Sequence, residues 1–554
     1  MRLIENLKIG LKLRYATMGF VVWVFGIIEC PAQSPKPLKS AETDAKPAQI
    51  DFSRFHGIGL IDKLGPNWFP PCKHRESDFQ FAKDNGFNFL RLPADYRFLT
   101  KDSDPAALDE GKMAEFDQAV AWGKKYGQHI CLNFFSVPGY SINEPKQTPS
   151  LWSDVGSQEI FCGYWKQLAE RYKAVPPAEL SFNLLNEPAW DVPEKEYGAV
   201  MRRAIETIQA VDPSRPILVD GLNCGRKPVM SLIDIPGLVQ TMHFYEPSSF
   251  THYQAHWVDG KHNTPPPRQW PLPRITHHLF GPEQEKFSPL VLRGVFPPEA
   301  RIEVVIASVS ASPDKPLTLA LTMGGRSAGV QVFQPDESRP EWQQSTSLGA
   351  GGLKEYRLDR SVVFRLPPGC DYTELVIKEG DRLSFRSIRL FAGTNSDPVA
   401  VLYPTSTLWD AQVCEVVFDN KNGFVVGGTY NRNWIAQEAI GPWEPLLKKG
   451  GIVMVQEFGC ISKVPHKAAL SYVEDCLAVW NEHRIGWALY SLRGDMGFVD
   501  SQRSDAQMDH MQDGSLLDTQ YLQVLRRNMA SPRQAQSSST ERQPSLRIPE
   551  VASQ

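Results

Sequence analysis

Two glutamates end strand-like runs that are largely apolar, a position in which a charged side chain is uncommon. Glu187 ends the run that begins at Leu180, and Glu457 ends the run that begins at Val453. Two carboxylates that face one another can divide the cleavage of a glycosidic bond, because one protonates the leaving oxygen while the other attacks the anomeric carbon. Either glutamate alone would fit a salt bridge at a rim, but the pair predicts a hydrolytic site. Asn186, beside Glu187, is a candidate to hydrogen-bond a sugar hydroxyl.

These acids need a scaffold that brings strand ends together. Short apolar strands alternate with amphipathic helices from Phe55 to about Pro247, and the alternation resumes from Trp434 to Asn528. Such alternation builds a parallel sheet. Six strands in the first stretch and two in the second make eight. We therefore predict an α/β fold, a (β/α)8 TIM barrel, whose reacting groups lie at the carboxyl ends of the strands.

Residues 266–427 interrupt this alternation. Runs with a period of two, such as Arg301 to Ile306, Leu317 to Thr322 and Ser361 to Leu366, lie there between Pro-rich turns. That pattern is typical of an antiparallel β-sandwich, and we predict one inserted between barrel strands six and seven. A carbohydrate-binding module and a spacer that shapes the cleft are both open for the insert, since fold alone does not give function.

Several segments together resemble glycoside hydrolase family 5, the family of many endoglucanases and β-mannanases. Leu-Asn-Glu-Pro at 185–188 looks like the family's acid/base segment, and Gln-Glu-Phe-Gly at 456–459 looks like its nucleophile segment. His243 and Tyr245 resemble the His-x-Tyr of its sixth strand, and Arg91 matches the arginine of its second strand.

The resemblance implies a role for each of these residues. Glu187 would be the general acid/base and Glu457 the nucleophile of a retaining hydrolase that works through a covalent glycosyl-enzyme. Arg91 would pair with Glu457 and hold it ionised, while His243 and Tyr245 would lie beside both carboxylates. All three would also contact the substrate. The implied substrate is a β-linked polysaccharide or oligosaccharide, cleaved in the manner of an endoglucanase.

The resemblance covers about residues 55–250 and 430–505 and departs from the family at two strand ends. Phe135 stands where the third strand usually carries a histidine, and Tyr490 stands where the eighth strand usually carries a tryptophan. Trp487 lies close by. A tyrosine ring can still stack on a sugar face, so we expect Tyr490 and Trp487 to contact substrate. Since both carboxylates are retained, we expect altered rate or specificity.

The amino-acid composition argues against several classes of binding partner. The chain has 554 residues, and its 59 Lys and Arg against 63 Asp and Glu give a formal net charge of −4. Nucleic-acid binders need a positive excess, so we expect no nucleic-acid partner. The nine cysteines include no C-x-x-C pair, and the sequence shows no clustered His and Asp ligands. We therefore expect neither a metal nor a cofactor.

The two ends of the sequence differ from its middle. A basic stretch, an apolar run from Ala16 to Ile28 and a small-x-small cleavage pattern predict a signal peptide, with an uncleaved membrane anchor as the alternative. We expect a secreted or periplasmic protein without membrane contact once the signal is removed. The predicted divisions are a signal peptide at 1–32, a linker at 33–50, barrel segments at 51–265 and 428–530, the insert at 266–427 and a disordered tail at 531–554.

A non-catalytic carbohydrate-binding protein on a decayed barrel is the competing hypothesis. The replacements at Phe135 and Tyr490 favour it. The retention of Glu187 and Glu457 argues against it, because a protein that only binds sugar has little reason to keep both acids in register. The sequence therefore favours an enzyme.

Overall fold

The computed structural model describes most of the chain. The described residues are 50–65, 72–143, 146–257, 267, 269–284, 287–342, 345–347, 353–405 and 415–529. The predicted signal peptide, the linker except for Ile50, and the disordered tail lie outside the described residues, so these three stay predictions. Within the described ranges, no helix is both long enough and apolar enough to cross a membrane.

Eight parallel strands form a closed barrel. Each strand pairs with the next along the chain, and the first also pairs with the last, so the sheet has no open edge. This confirms the predicted (β/α)8 barrel. The strands are β1 His56–Gly59, β2 Phe89–Asp95, β3 His129–Val137, β4 Leu180–Asn183, β5 Ile217–Asp220, β6 Val239–Phe244, β7 Ile452–Phe458 and β8 Gly486–Leu489.

Helices cover the outside of the barrel. The longer ones are α1 Glu76–Asp84, α2 Glu110–Tyr126, α3 Val155–Tyr172, α4 Glu194–Val211, α5 His466–Glu482 and α6 Thr519–Met529. The first four follow β1 to β4, and the last two follow β7 and β8. Shorter helical segments are Leu222–Gly225 and Met230–Leu232 after β5, Ser248–Thr251 after β6, and Arg432–Ile435, Ala436–Ile440, Gly441–Trp443 and Glu444–Lys448 before β7.

Local signals set the ends of these helices, as α2 illustrates. The side chain of Asp109 accepts a hydrogen bond from the Lys112 N–H at the start of α2. Such a cap satisfies one of the backbone donors that the first helical turn leaves free. Gly127 ends α2 in the left-handed region at φ 68°, where glycine carries no steric penalty.

Strand alternation sorts the barrel side chains into an inner and an outer layer. On β2, Phe89 belongs to the interior core, whereas Leu90 and Leu92 pack outward against the helices. The interior core contains Phe52, Phe89, Cys131, Leu218, Val239, Met454 and Ala488. Nearer the carboxyl ends of the strands, the inward positions are polar. The barrel therefore gathers its buried charge at one end.

The antiparallel strands between β6 and β7 form two further sheets. One contains His278–Phe280, Arg301–Ala311, Ser345–Ser347, Lys354–Arg365, Arg382–Phe391 and Ala400–Leu402; the other contains Leu290–Gly294, Leu317–Met323, Arg326–Phe333, Tyr372–Glu379, Val416–Asp419 and Gly423–Val426. One pair, Leu290–Gly294 with Val416–Asp419, is parallel. The two sheets share a hydrophobic core that is separate from those of the barrel. The predicted antiparallel sheets are thus present, while the boundaries at 266 and 427 stay predictions.

Short pairings complete the structure and fasten these sheets to the barrel. Leu272–Pro273 pairs with Thr429–Tyr430 where the chain leaves and re-enters the barrel. The Ser249 hydroxyl, in the short helix after β6, donates to the Thr405 carbonyl at 2.7 Å. The remaining short strands pair as Thr100–Lys101 with Asp104–Leu108, Asp509–His510 with Leu516–Leu517, and Tyr140–Ser141 with the end of β3.

Gly59 ends β1 against the residue that follows β8, since a Cβ there would be 2.0 Å from the Tyr490 carbonyl oxygen. Gly59→Ala should force the two strands apart and lower the free energy of unfolding by about 1–3 kcal/mol, the usual cost of overpacking. Gly163→Ala in α3 is the matched control. Nothing lies within 4 Å of its Cβ position, and alanine is the better helix former by about 1 kcal/mol. Chemical denaturation measures both, and an undiminished stability of Gly59→Ala would contradict the close approach.

Candidate active site

Glu187 and Glu457 meet at the carboxyl end of the barrel. One oxygen of each carboxylate and one ring nitrogen of His243 all lie within 4.8 Å of one another. The Glu187 side chain is 18% exposed, whereas that of Glu457 is only 4% exposed. Glu187 is therefore the carboxylate more open to solvent, and Glu457 lies deeper.

Arg91 on β2 contacts the deeper carboxylate. Its Nη1 donates to Glu457 Oε1 at 2.6 Å. Its Nη2 donates to Oδ1 of Asn186 at 2.6 Å and to Oδ1 of Asn133 at 3.0 Å. Three acceptors fix the plane of the guanidinium, which offers its donors in a rigid fork. Arg91 thus joins Glu457 to the residue that precedes Glu187.

Three buried polar residues that the sequence analysis did not single out extend these contacts. The Asn133 side-chain amide on β3 donates to Asn183 on β4, and Asn183 Nδ2 donates to Asp220 Oδ1 on β5 at 2.7 Å. Each stands two positions after an inward residue, as Asn133 follows Cys131 and Asp220 follows Leu218. A search for polar side chains at the inward positions of each strand would have found them.

Asp220 holds the backbone of Glu187 in place. Its Oδ2 accepts from the Glu187 N–H at 2.9 Å, and its Oδ1 also accepts from the Thr241 hydroxyl. Glu187 has φ 41°, in the left-handed region. That conformation costs a residue other than glycine on the order of 1–3 kcal/mol, and it persists only where the surroundings enforce it. The Tyr140 hydroxyl, which donates to the Glu187 carbonyl, is a second constraint.

His243 on β6 stands among three carboxylates. Its Nδ1 lies 2.9 Å from Glu187 Oε1 and 3.6 Å from Glu457 Oε2, and its Nε2 lies 3.3 Å from Asp220 Oδ2. Burial lowers the pKa of His243, but the charges of Glu457, Asp220 and Glu187 outweigh burial and raise this pKa to about 9. The ring is therefore an imidazolium at neutral pH. Gly225 is needed beside it, because a Cβ there would lie 2.8 Å from the His243 backbone nitrogen.

The same protonation bears on metal binding. Glu187, His243 and Glu457 are close enough together to share a cation. An imidazolium has donors on both nitrogens and no free lone pair for a metal. While the His243 ring is protonated, the three groups therefore pair with one another by charge.

Burial and charge act on Glu457 in opposite directions. Complete burial raises the pKa of Glu457 above its ordinary value of 4.5, while the positive charges of His243 and Arg91 oppose that rise. The expectation that Arg91 holds Glu457 ionised thus describes only part of the balance. The charge of each group favours the charged form of the other, because His243 Nδ1 lies 3.6 Å from Glu457 Oε2. The Tyr245 hydroxyl donates to Glu457 Oε2 at 3.0 Å and completes its surroundings.

A bulge in β7 turns Glu457 toward the inside of the barrel. Met454 belongs to the interior core, so strict alternation would point residue 456 inward and residue 457 outward. The pairing of β7 with β6 shifts by one residue between Val455 and Glu457. Such an extra residue re-aims the side chains that follow it. Gln456, whose Nε2 lies 3.6 Å from Cys131 Sγ, and Glu457 therefore both face the barrel interior.

The aromatic residues that the sequence analysis named divide into two groups. Tyr245 and Tyr490 are half-buried, with ring centres 6.3 Å apart in an edge-to-face arrangement, and Phe135 is also half-buried. The prediction that Trp487 contacts substrate is wrong. Its side chain is fully buried in the outer layer, 5.9 Å from the Phe458 ring, because on β8 it is the neighbouring Ala488 that faces the interior core.

The other predicted substrate contacts lie deep in the structure. Arg91, Asn186 and His243 are at most 1% exposed, and each contacts a carboxylate or its direct support. Asn186 Nδ2 has no hydrogen-bond partner among the described residues. Contacts of these three residues with a sugar stay predictions.

Known proteins resemble this chain in its barrel. Residues 43–270 match the family model described as Cellulase (glycosyl hydrolase family 5). The chain is 30% identical over 188 residues to endoglucanase C of Acetivibrio thermocellus. The aligned region covers 33% of this chain and 54% of that protein. It is 25% identical over 187 residues to cellodextrinase A of Ruminococcus flavefaciens. That aligned region covers 33% of this chain and 55% of the relative. The chain thus spans about half the length of the curated relatives it matches.

A solved structure has a similar fold. One crystal structure, described as that of a glycoside hydrolase, is 22% identical with a TM-score of 0.53 and covers 86% of this chain and 99% of its own. At that identity the likeness shows the fold alone.

Asp220→Asn removes a negative charge beside His243 and nearly preserves the size of the side chain. The pKa of His243 should fall below about 9, because Asp220 is one of the charges that raise it. Titration of the His243 ring by NMR measures the change. Asp518→Asn is the matched control and should leave the pKa of His243 unchanged. Asp518 is also a buried acid, and it pairs with a different histidine, His466, at 2.8 Å. A His243 pKa that is the same in wild type and Asp220→Asn would contradict the assigned contact.

Proposed function

Because this chain is a cellulase-like protein of glycosyl hydrolase family 5, we propose that it hydrolyses β-linked glucan by double displacement, with Glu187 as general acid/base and Glu457 as nucleophile. The observation that carries the proposal is the spacing of the two acids, which have oxygens within 4.8 Å of each other. This short spacing favours a retaining over an inverting mechanism, because inverting enzymes separate their carboxyl groups further to leave room for a water.

The surroundings of the two acids support this division of roles. Both oxygens of Glu457 accept hydrogen bonds, one from Arg91 and the other from Tyr245, so the carboxylate is oriented for attack. Glu187 is more exposed and can exchange a proton with a leaving group or a water.

The reaction follows from these positions in two steps. A Glu457 oxygen bonds to the anomeric carbon while the glycosidic C–O bond breaks, and Glu187 gives its proton to the departing oxygen. Glu187 then takes a proton from water, whose oxygen displaces Glu457 from the anomeric carbon. While Glu457 is an ester, Glu187 is the carboxyl group nearest His243, with its Oε1 2.9 Å from the ring Nδ1.

The names of the relatives support a glucan or its oligosaccharides as the substrate. Tyr245, Tyr490 and Phe135 supply half-buried rings at the mouth that can stack on sugar faces. In the insert, Trp270 and Trp342 are buried, and Trp409 lies outside the described residues. Neither described tryptophan offers a stacking surface. We therefore propose that the insert acts as a spacer beside the cleft.

We also propose that the protein is exported. The basic stretch and the apolar run before residue 32 support this, and they have the order of a signal peptide. Fractionation of expressing cells, followed by N-terminal sequencing of the product, tests it. Accumulation of the full-length chain in the cytoplasm would contradict the proposal.

Glu457→Ala should abolish turnover of an aryl β-glucoside or β-cellobioside, and added azide should restore part of it. The azide occupies the vacated nucleophile site and displaces the leaving group once, so the product is the α-glycosyl azide. Glu187→Ala is the matched variant. There Glu457 still forms the glycosyl-enzyme, and azide attacks in the second step to give the β-glycosyl azide. NMR of the products distinguishes the two anomers.

The same assay separates the alternatives. Exchange of the two anomers between the variants would show that the roles are reversed. A wild-type protein that binds β-glucans but hydrolyses none of a panel of them would contradict the enzyme and favour the non-catalytic carbohydrate-binding protein.

The activity should fall on the acid side at a pH above 4.5, because burial raises the pKa of Glu457 above that ordinary value and only the ionised form attacks. Arg91→Met removes a positive charge that lowers the pKa of Glu457, so this pKa rises further. The acid limb of kcat/KM should move up by about 1–3 pH units. Arg171→Met, at a surface pair with Asp117, is the control and should leave the limb in place. An acid limb that Arg91→Met does not move would contradict the role of Arg91.

A further inference from the structure

Trp190 differs from the other tryptophans in the described part of the chain. It is 60% exposed and is the one tryptophan there that belongs among the exposed large hydrophobic residues. It lies in the loop after β4, three residues beyond Glu187. A single exposed apolar residue is ordinary on a protein surface, so the surroundings must show whether this ring is built to bind.

A charged group supports the ring from one side. The Arg226 guanidinium carbon lies 4.6 Å from the centre of the Trp190 ring, at cation–π distance. Arg226 also pairs with Glu246, which is 5% exposed and accepts from the Ser248 N–H at 2.9 Å. These contacts join the loops that follow β4, β5 and β6. Arg226 is thus held in place beneath the indole.

The backbone before Trp190 is fixed as well. The Pro188 carbonyl accepts from the Cys224 N–H at 2.8 Å. The Ala189 N–H donates to the Tyr140 hydroxyl at 2.9 Å, and the same hydroxyl donates to the Glu187 carbonyl. The ring is therefore attached to the segment that positions Glu187. A surface held in its binding conformation loses little entropy when a ligand binds.

Charge and position indicate the ligand. Glu246 neutralises Arg226, so the site suits a neutral ring better than an anionic one. Glu187 gives its proton to the leaving oxygen, and Trp190 follows Glu187 in the same loop. We propose that Trp190, supported by Arg226, is a binding platform for the neutral pyranose ring of the leaving group, an assignment that rests on the proposed function.

This assignment makes Trp190 a residue that determines specificity for the leaving group. A sugar leaving group gains from the platform in the first step, whereas a leaving group that is a single atom has no ring to stack. Loss of an aromatic contact corresponds to about threefold to tenfold in rate. The platform therefore favours oligosaccharides and polymers over small activated glycosides.

The test compares Trp190→Ala with wild type on cellotetraose and on β-cellobiosyl fluoride. The parameter is kcat/KM, which reports the steps up to departure of the leaving group. We expect kcat/KM for cellotetraose to fall about threefold to tenfold and that for the fluoride to stay within about twofold. Trp190→Phe keeps a ring and should recover most of the cellotetraose activity. Phe287→Ala, at a 46% exposed ring on the insert, is the control and should change neither value.

The outcomes separate this inference from the proposed function. A wild type that hydrolyses neither substrate would overturn the proposed function and this inference with it. A wild type active on both, with Trp190→Ala unchanged on both or reduced equally on both, would overturn this inference alone. A Trp190→Phe variant as impaired as Trp190→Ala would also overturn it.

Discussion

The ion pair between Arg91 and Glu457 is the contact on which the rest of the site depends. From it, a continuous line of polar contacts passes around the mouth of the barrel and returns to Glu457. Its members in order are Glu457, Arg91, Asn133, Asn183, Asp220 and His243. They come from β7, β2, β3, β4, β5 and β6. Buried polar groups are costly unless each has a partner, so the line holds only if these six strands keep their register.

The charges along this line of contacts explain why replacement of any one charged member is costly. Glu187, Glu457 and Asp220 are acids, whereas Arg91 and His243 supply the positive charges among them. Removal of one partner from a buried pair leaves the other charge uncompensated, which costs far more than a surface pair contributes. The strained backbone of Glu187 belongs to the same arrangement, because Asp220 binds both its N–H and the His243 ring. Stability and chemistry thus rest on the same contacts.

Regular periodicity made the fold and the two carboxylates predictable from sequence. Alternating strands and helices indicate eight parallel strands, and such strands bring Glu187 and Glu457 to one end of the barrel. The inward turn of Glu457 was not predictable, because the bulge in β7 is a property of its pairing with β6. Trp487 was misassigned for a related reason. The side of the sheet on which Trp487 lies depends on which residues of β8 point inward. Closeness to Tyr490 in the sequence does not give that orientation.

The position of Phe135 in β3 bears on the hypothesis of a decayed site. It is the extra residue of β3 in the pairing with β2, where Ala94 lies opposite Phe134 and Asp95 lies opposite Ser136. The line of buried contacts passes through Asn133 and does not need a polar side chain at position 135. A decayed site should show buried charges without partners, because nothing would maintain their pairing. Among the described residues of this site, each buried acid contacts a positive group within 4.0 Å. The replacement of histidine by Phe135 therefore leaves the buried polar contacts around Glu187 and Glu457 intact.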